Sequence, residues 1–398
     1  MSRPSVFVAM SGGVDSSVTA ALLKYGDARL PAGRQDFDVS GIHIKMWSDP
    51  DIPCTMREDR YDAMRVAALL DIPFQTWDFT QEYRQAVVEY MIREYAAGRT
   101  PNPDVMCNRH IKFGIFLKRA LAVGAEYVAT GHYVKIGNRG QGLVPSRAEG
   151  IADSSRDTLI PNRYTLSAAH DTNKDQSYFL WTLTQEQLQY CLFPIGAYTK
   201  QEVRALARRF GLPTAEKSES QGICFIGEID VRNFLKRYIP ERRGRIRTTR
   251  GAVVGEHTGI EFFTIGQREG IGIGGGIPYY VAEKDSVTNT LVVGEGPYDE
   301  ALFRKELIAI DVNWIFGEQP NFPLRCYARI RYRQPLQSCR VYQFNEFNQL
   351  GQPKTYELSN SSTPQLKVIF DSPQRAVTAG QSVVFYKENE MLGGGVIG

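Results

Sequence analysis

The sequence predicts an α/β chain: an N-terminal parallel sheet flanked by helices, then two small, mostly-β modules, the last of them a β-barrel. Three observations carry this. Short apolar runs alternate with amphipathic helical patterns as far as about residue 215. A Gly-rich turn, Ser11-Gly12-Gly13, separates the first run from the first helix. Beyond it the helical pattern gives way to short strand-like runs between turn signals. The implied division is 1–215, 216–300 and 301–398, in keeping with roughly 150 residues per domain.

Residues 6–10 (VFVAM) form the first buried strand, and Val14, Val18, Ala21 and Leu22 mark one stripe of the helix after it. A second strand is expected at 39–47. Glu58 to Leu70 forms a helix that turns Met64, Val66, Ala67 and Leu70 inward. A third strand covers 72–79, helices follow over 81–97 and 111–123, and a fourth strand covers 126–133. Strands alternating with helices imply parallel pairing. The stretch 137–162 is polar and Gly-rich, a surface insertion. A strand at 164–169 and helical segments to Phe210 complete the first part, where Gly211-Leu212-Pro213 stops the helix. The later strand-like runs are 252–254, 260–265, 278–283, 290–293, 307–310, 325–332, 366–370 and 382–386, with the two modules joined near Gly294–Asp299.

Composition narrows the function. With 42% hydrophobic and 23% charged residues the chain is neither disordered nor fibrous. Its 47 Lys+Arg against 44 Asp+Glu give +3, so any nucleic-acid surface must come from local clustering. No apolar run approaches the ~18 residues of a membrane-spanning helix, and Met1–Met10 lacks the apolar core of a signal peptide. A cytoplasmic protein without a membrane partner is the expectation. The six cysteines, Cys54, Cys107, Cys191, Cys224, Cys326 and Cys339, form no C-x-x-C pair, so a zinc ribbon is not expected and no metal site is assigned. Cys326 and Cys339 could meet across a strand pair; with Cys54 and Cys191 they read as structural thiols.

Ala9-Met10-Ser11-Gly12-Gly13-Val14-Asp15-Ser16-Ser17 lies between the first strand and the first helix. Two glycines let the backbone approach an anion. The N–H groups of the turn and helix start would face phosphate oxygens. The lysine of a Walker loop is absent, so this is not G-x-x-x-x-G-K-[ST]. Asp15 beside phosphates suits Mg²⁺ or a backbone cap.

Asn102-Pro103-Asp104-Val105-Met106-Cys107-Asn108 precedes the helix expected from Ile111. Cys107 then lies near a helix N-terminus, which lowers a thiol pKa, and Asp104 could move a proton. Read alone, the same residues equally suit a capping aspartate and a buried thiol. Cys224, between Ile223 and Phe225, reads alone as core, although its loop is bounded by Gly222 and Gly227.

SGGVDSS directly after an N-terminal strand resembles the loop of the PP-loop ATP pyrophosphatases. GMP synthetases, NAD synthetases and tRNA thiolases share that loop, so another PP-loop ligase or amidotransferase is the main alternative. Eight motifs narrow the resemblance: SGGVDSS, GRTPNPDVMCNRHIKFG, ATGHY, KDQSYFL, SQGICFIGE, FFTIGQREGIGIGG, RIRYRQ and AGQSVVFY. In that order they resemble the tRNA-specific 2-thiouridylases (the MnmA/TrmU family). The sequence departs from commoner members in extra stretches near Tyr25–Phe37 and Gly140–Asp157, and in Ile44, where some members have Met.

The resemblance implies ATP-dependent sulfur insertion at position 2 of the tRNA wobble uridine, with Mg²⁺ accompanying ATP. It implies nucleotide contacts from Ala9, Met10, Ser11, Gly12, Gly13, Val14, Asp15, Ser16, Ile44 and Gly131. Gly131, lacking Cβ, is expected close to adenine. It makes Asn102, Pro103 and Asp104 contacts to the target base, Asp104 the acid/base, Cys224 the persulfide carrier and Cys107 its partner. It also assigns tRNA contacts to His132, Lys174, Asp175, Gln176, Arg331, Tyr332 and Gln381. A persulfide donor, either a cysteine desulfurase or a sulfur-relay protein, is the implied partner. Two basic stretches fit an RNA substrate: 231–250 holds eight basic residues and one acid, and 324–340 holds five Arg, two Tyr and no acid.

Overall fold

The computed structural model describes residues 3–26, 37–49, 56–139, 163–218, 231–274, 276–344 and 365–398. Cys224, Cys54 and most of the two extra stretches lie outside the described residues.

Strands β1 (Ser5–Ala9), β2 (Asp38–Lys45), β3 (Phe74–Asp78) and β4 (Tyr127–Ala129) form an all-parallel sheet. After β5 (Val134–Arg139) and β6 (Arg163–Ala168), the two-residue β7 (Cys191–Leu192) completes it in the order β3-β2-β1-β4-β7. The order reverses between β1 and β4, where such sheets bind ligands beyond the strand C-termini. Helix α1 (Val14–Tyr25) buries the expected stripe of Val14, Val18, Ala21 and Leu22. Helix α2 (Met56–Leu69) buries Ala63, Val66 and Ala67 but leaves Met64 exposed, contrary to the sequence pattern.

Two hydrophobic clusters cover this sheet. One gathers Ile44, Trp77, Cys107 and Ile111; the other holds Met10, Val14, Val18 and Leu22.

The central sheet has β8 (Gly244–Thr248), β9 (Val253–His257), β10 (Tyr279–Asp285) and β11 (Thr290–Glu295) in the order β10-β11-β8-β9. The run at 260–265 is instead a single 3₁₀ turn, Ile260–Phe262, followed by irregular chain. The last module has β12 (Phe303–Trp314), β13 (Leu324–Arg329), β14 (Gln337–Gln343), β15 (Leu366–Arg375), β16 (Ser382–Lys387) and β17 (Glu390–Ile397). Their pairing, closed by β12 with β17, makes a six-stranded antiparallel barrel. Cys326 faces Cys339 across β13 and β14, Sγ to Sγ 3.7 Å, as the sequence allowed.

The strand expected at 164–169 forms as β6, and it pairs outside the parallel sheet: it lies against β17, Met391 opposite Leu166, and carries β5 with it. The N-terminal part is therefore hydrogen-bonded to the barrel. Among the described residues, no helix is long and apolar enough to cross a membrane.

Candidate active site

The SGGVDSS turn leaves β1 at the switch point. Gly12 has φ +80, and a Cβ there would lie 2.1 Å from the Asp59 carbonyl oxygen. Ser11 and Ser16 hydroxyls face each other at 3.2 Å, and Ser16 and Ser17 donate to the Gly13 carbonyl at 3.1 and 2.8 Å. The loop therefore organises itself. Gly13 at the N-cap offers no side-chain cap to α1, which leaves its first N–H groups available to meet an anion. Met10, Val14 and Ile44 are buried, so Met10 and Val14 would serve a nucleotide through their backbones. Ala9 ends β1, its strand neighbour Ile42 in register.

Asp15 is held from two sides. Tyr133 donates its hydroxyl to Oδ1 at 2.8 Å, and Lys200 Nζ lies 2.7 and 2.8 Å from the two carboxylate oxygens. Sequence reasoning missed Lys200. It opens the helix Lys200–Arg209, whose N-terminus carries a Thr199–Glu202 capping box. That box was legible locally, but nothing in it pointed to a loop 185 residues away. His43 was missed too. Its Nδ1 lies 3.0 Å from the Met10 carbonyl, and burial lowers its pKa, so the neutral ring donates there. Gly131 also has a reason within the fold itself. A Cβ on it would lie 2.7 Å from Ser16 N and 2.8 Å from Asp15 C; the glycine lets the end of β4 back directly onto the loop.

The Asn102–Cys107 segment corrects the sequence reading. Helical structure starts at Pro103, not near Ile111, and Asn102 caps it by accepting from Val105 N at 3.3 Å. Asp104 sits in the first turn, where the positive helix end favours negative charge. Cys107 is the fifth helical residue, fully buried, and begins a π-helical stretch to Phe116. Cys107 thus lies one turn further into the helix than the sequence placed it, beyond the first turn where the helix dipole acts most strongly.

All three modules meet on the residues just before this helix. Gln381 Nε2 donates to the carbonyls of Thr100 and Pro101 at 2.9 and 3.0 Å. Thr100 N donates to the Ala379 carbonyl at 2.9 Å, and Thr100 Oγ1 lies 3.3 Å from Thr264 Oγ1 of the central module. Tyr178 donates its phenol to the Ser382 carbonyl at 3.0 Å.

Several residues expected on tRNA have protein partners here. Asp175 is buried, accepts from Ala169 N, Ser177 N and Ser177 Oγ, and pairs with Arg329 at 3.1 Å. Gln176 Oε1 accepts from Tyr133 N at 3.0 Å. Arg331 Nη2 donates to the Ile265 and Ala376 carbonyls, both at 3.0 Å. His132 is buried beside Phe113 and Phe193, with Nδ1 2.8 Å from Thr130 Oγ1, and burial holds its pKa well below the usual value. Tyr332 packs against Phe179, ring centroids 4.7 Å apart. Lys174 caps a turn through its backbone N–H, bonded to Asp171.

Sequence comparisons cover the same three parts. Residues 4–228 match the tRNA methyl transferase HUP domain model, 232–295 the tRNA methyl transferase PRC-barrel domain, and 304–351 with 346–397 the aminomethyltransferase beta-barrel domain. The tRNA-specific 2-thiouridylase MnmA of Halalkalibacterium halodurans is 44% identical over 395 residues, covering 98% of this chain and 94% of that protein. The chain belongs to the tRNA-specific 2-thiouridylase family. Its relative from Streptococcus uberis, of the same name, is 43% identical over 100% of this chain and 95% of its own length. This family member thus carries the loop, the Asn102–Cys107 helix start and the barrel in one continuous, hydrogen-bonded frame.

Proposed function

We propose that this protein is an ATP-dependent tRNA sulfurtransferase that replaces the C2 oxygen of the wobble uridine with sulfur. The observation that carries the reading is the SGGVDSS turn at the switch point of the sheet, in a chain related over nearly its full length to proteins named tRNA-specific 2-thiouridylase. The chemistry explains why such a loop is needed. A uridine C2 carbonyl is a poor electrophile with a poor leaving oxygen. Attack of that oxygen on the α-phosphorus of ATP breaks the α–β anhydride, releases pyrophosphate and converts the oxygen into part of a good leaving group, AMP.

The uncapped N–H groups of α1 hold the phosphates, and Lys200 supplies the cation that the loop itself lacks. Among the described residues, no group of three or more His, Cys, Asp or Glu could hold a metal. Mg²⁺ is commonly held by one or two carboxylates plus phosphates, and Asp15, released from Lys200, would be the loop's carboxylate for it. When bound, it would neutralise phosphate charge. Asp104, in the first helical turn, is the proton-transfer group beside the target base.

Sulfur arrives as a Cys224 persulfide, charged by an external persulfide donor. The Cys107 thiolate attacks the Cys224 Sγ, forming a Cys107–Cys224 disulfide and expelling hydrosulfide. Hydrosulfide adds to C2, and AMP departs with the oxygen. In the variant order, the terminal persulfide sulfur attacks C2 first and Cys107 then cleaves the S–S bond. Both orders end with the same disulfide, which a thiol reductant returns to two thiols. Because Cys107 is fully buried, it must gain access during turnover.

The test is incubation with tRNA, ATP and a persulfide source, with mass spectrometry of the nucleosides and of the nucleotide product. The expected products are 2-thiouridine, AMP and pyrophosphate; ADP would refute the loop assignment. Cys224→Ser should stop sulfur loading, and Cys107→Ser should permit loading but block transfer. Full thiolation by Cys107→Ser would sink the paired-cysteine route.

A further inference from the structure

The basic stretch 231–250 divides once its side chains are placed. Arg232 bonds the Gly270 carbonyl and lies over the Phe263 ring, Lys236 pairs with Glu241, and Arg237 pairs with Asp49. Those three cations are occupied by the protein itself. Arg242, Arg243, Arg245 and Arg247 are not. They are exposed, and among the described residues their guanidinium groups make no hydrogen bond or ion pair. All four line one cleft of about 530 Å³ on the central module, with Glu256 as the single acid.

The cleft is built rather than incidental. Strand β8 turns Ile246 and Thr248 inward and Arg245 and Arg247 outward on one face. Asn289, buried in a left-handed turn with φ +49, donates its amide to the carbonyls of Arg242 and Arg243 at 3.2 and 2.8 Å. That fixes the backbone carrying the other two arginines against the Thr288–Thr290 turn. Gly244 makes the approach possible: a Cβ there would lie 2.0 Å from the Asn289 carbonyl oxygen.

Four guanidinium groups around one opening repel each other unless an anion joins them. Alternate residues on a strand stand about 7 Å apart, close to the spacing of neighbouring phosphates on an RNA strand. Guanidinium groups bind phosphate oxygens in bidentate fashion. We infer that this cleft is a seat for the phosphodiester backbone of the tRNA, remote in sequence from the target-base residues. The inference rests on RNA being the substrate.

The experiment compares wild type with Arg245→Gln/Arg247→Gln and with Arg245→Lys/Arg247→Lys. Equilibrium binding of unmodified tRNA is measured across a salt series, beside ATP binding, thermal unfolding and binding to phosphatidylserine vesicles. Each lost phosphate contact removes about 0.7–0.9 from the log–log salt slope, so the Gln pair should lower it by about 1.4–1.8 and weaken tRNA binding about tenfold or more at low salt. The Lys pair should keep most of the slope, and ATP binding and unfolding should not change in either variant. An unchanged slope in the Gln pair, with wild type binding tRNA normally, overturns the cleft and leaves the proposed function standing. Vesicle binding that is lost in the Gln pair while tRNA binding is kept overturns it in favour of a lipid surface. Wild type that shows no salt-dependent tRNA binding would instead remove the substrate reading on which the cleft rests.

Discussion

Arg331 separates a residue that touches RNA from one that holds the scaffold. Its Nη2 donates to Ile265 O and Ala376 O at 3.0 Å, and to Thr378 Oγ1 at 3.5 Å. Two modules are thereby tied together. Hydrogen bonds from a charged donor contribute about 1.5–3 kcal/mol each. Ala376 O keeps a second partner, Thr378 Oγ1 at 2.9 Å, whereas no second partner is seen for Ile265 O among the described residues. Burial works against the charge, since it lowers the Arg331 pKa. Arg331→Ala should therefore destabilise the protein by about 3–4 kcal/mol, at the lower end of two full charged bonds. Urea unfolding should show the loss, with uncoupled transitions of the central module and the barrel where wild type has one. tRNA affinity should fall with the population of assembled protein, and its salt slope should stay within about 0.5 of wild type across roughly 50–300 mM salt. Unchanged unfolding, together with a slope lowered by about 0.7–0.9, would refute the structural role and make Arg331 a phosphate contact.

Gly131→Ala tests the reason for that glycine. A Cβ 2.7–2.8 Å from the Ser16 and Asp15 backbone forces the loop to move, at a cost of about 1–3 kcal/mol; a melting temperature equal to wild type with weakened ATP binding would restore adenine contact as the cause. Lys284, 2.8 Å from the Phe263 carbonyl, has its pKa pushed down to about 8 by burial. A depressed lysine pKa penalises the fold fully below pH 8, and the penalty fades as pH rises toward the unfolded value of about 10.4. Lys284→Met should thus stabilise the protein at pH 7, by an amount bounded at roughly 3 kcal/mol, and lose that advantage by about pH 10; an equal gain at both pH values in urea unfolding would exclude titration as its source.

What the sequence made legible was local. The apolar runs at 6–10 and 39–47 became β1 and β2, and SGGVDSS became the turn between β1 and α1, because period, length and glycine placement are properties of neighbouring residues. Strand β17 was hidden by its glycines: Cβ atoms on Gly393 and Gly394 would lie 2.2 Å from Asn313 O and 2.8 Å from Trp181 Cγ. Tight packing against a distant strand calls for glycine, and glycine reads as turn. The start of the Asn102 helix lay ahead of the expected start at Ile111, because Pro103 occupies the first helical position, where a missing N–H costs nothing. Lys200 beside Asp15 was beyond any local signal.

The polar residues of the tRNA set show a deeper limit. Asp175, Gln176, Arg331 and Gln381 look alike in a sequence whether their partner is RNA or protein. In the fold each holds protein: Asp175 the Arg329 side chain, Gln176 the Tyr133 N–H, Arg331 two carbonyls, and Gln381 the carbonyls just ahead of Asn102. The barrel and the central module therefore both hold the Thr100–Pro101 segment just ahead of the Asn102 helix. Loss of thiolation on substituting any of these side chains cannot by itself identify an RNA contact, because a displaced Thr100–Asn102 segment produces the same loss. Stability and salt slope, measured on the same variant, separate the two: a scaffold residue lowers stability and leaves the slope, and a phosphate contact does the reverse. By that criterion the exposed arginines of β8 and the bonded Arg331, both in basic stretches of the same sequence, are expected to fall into opposite classes.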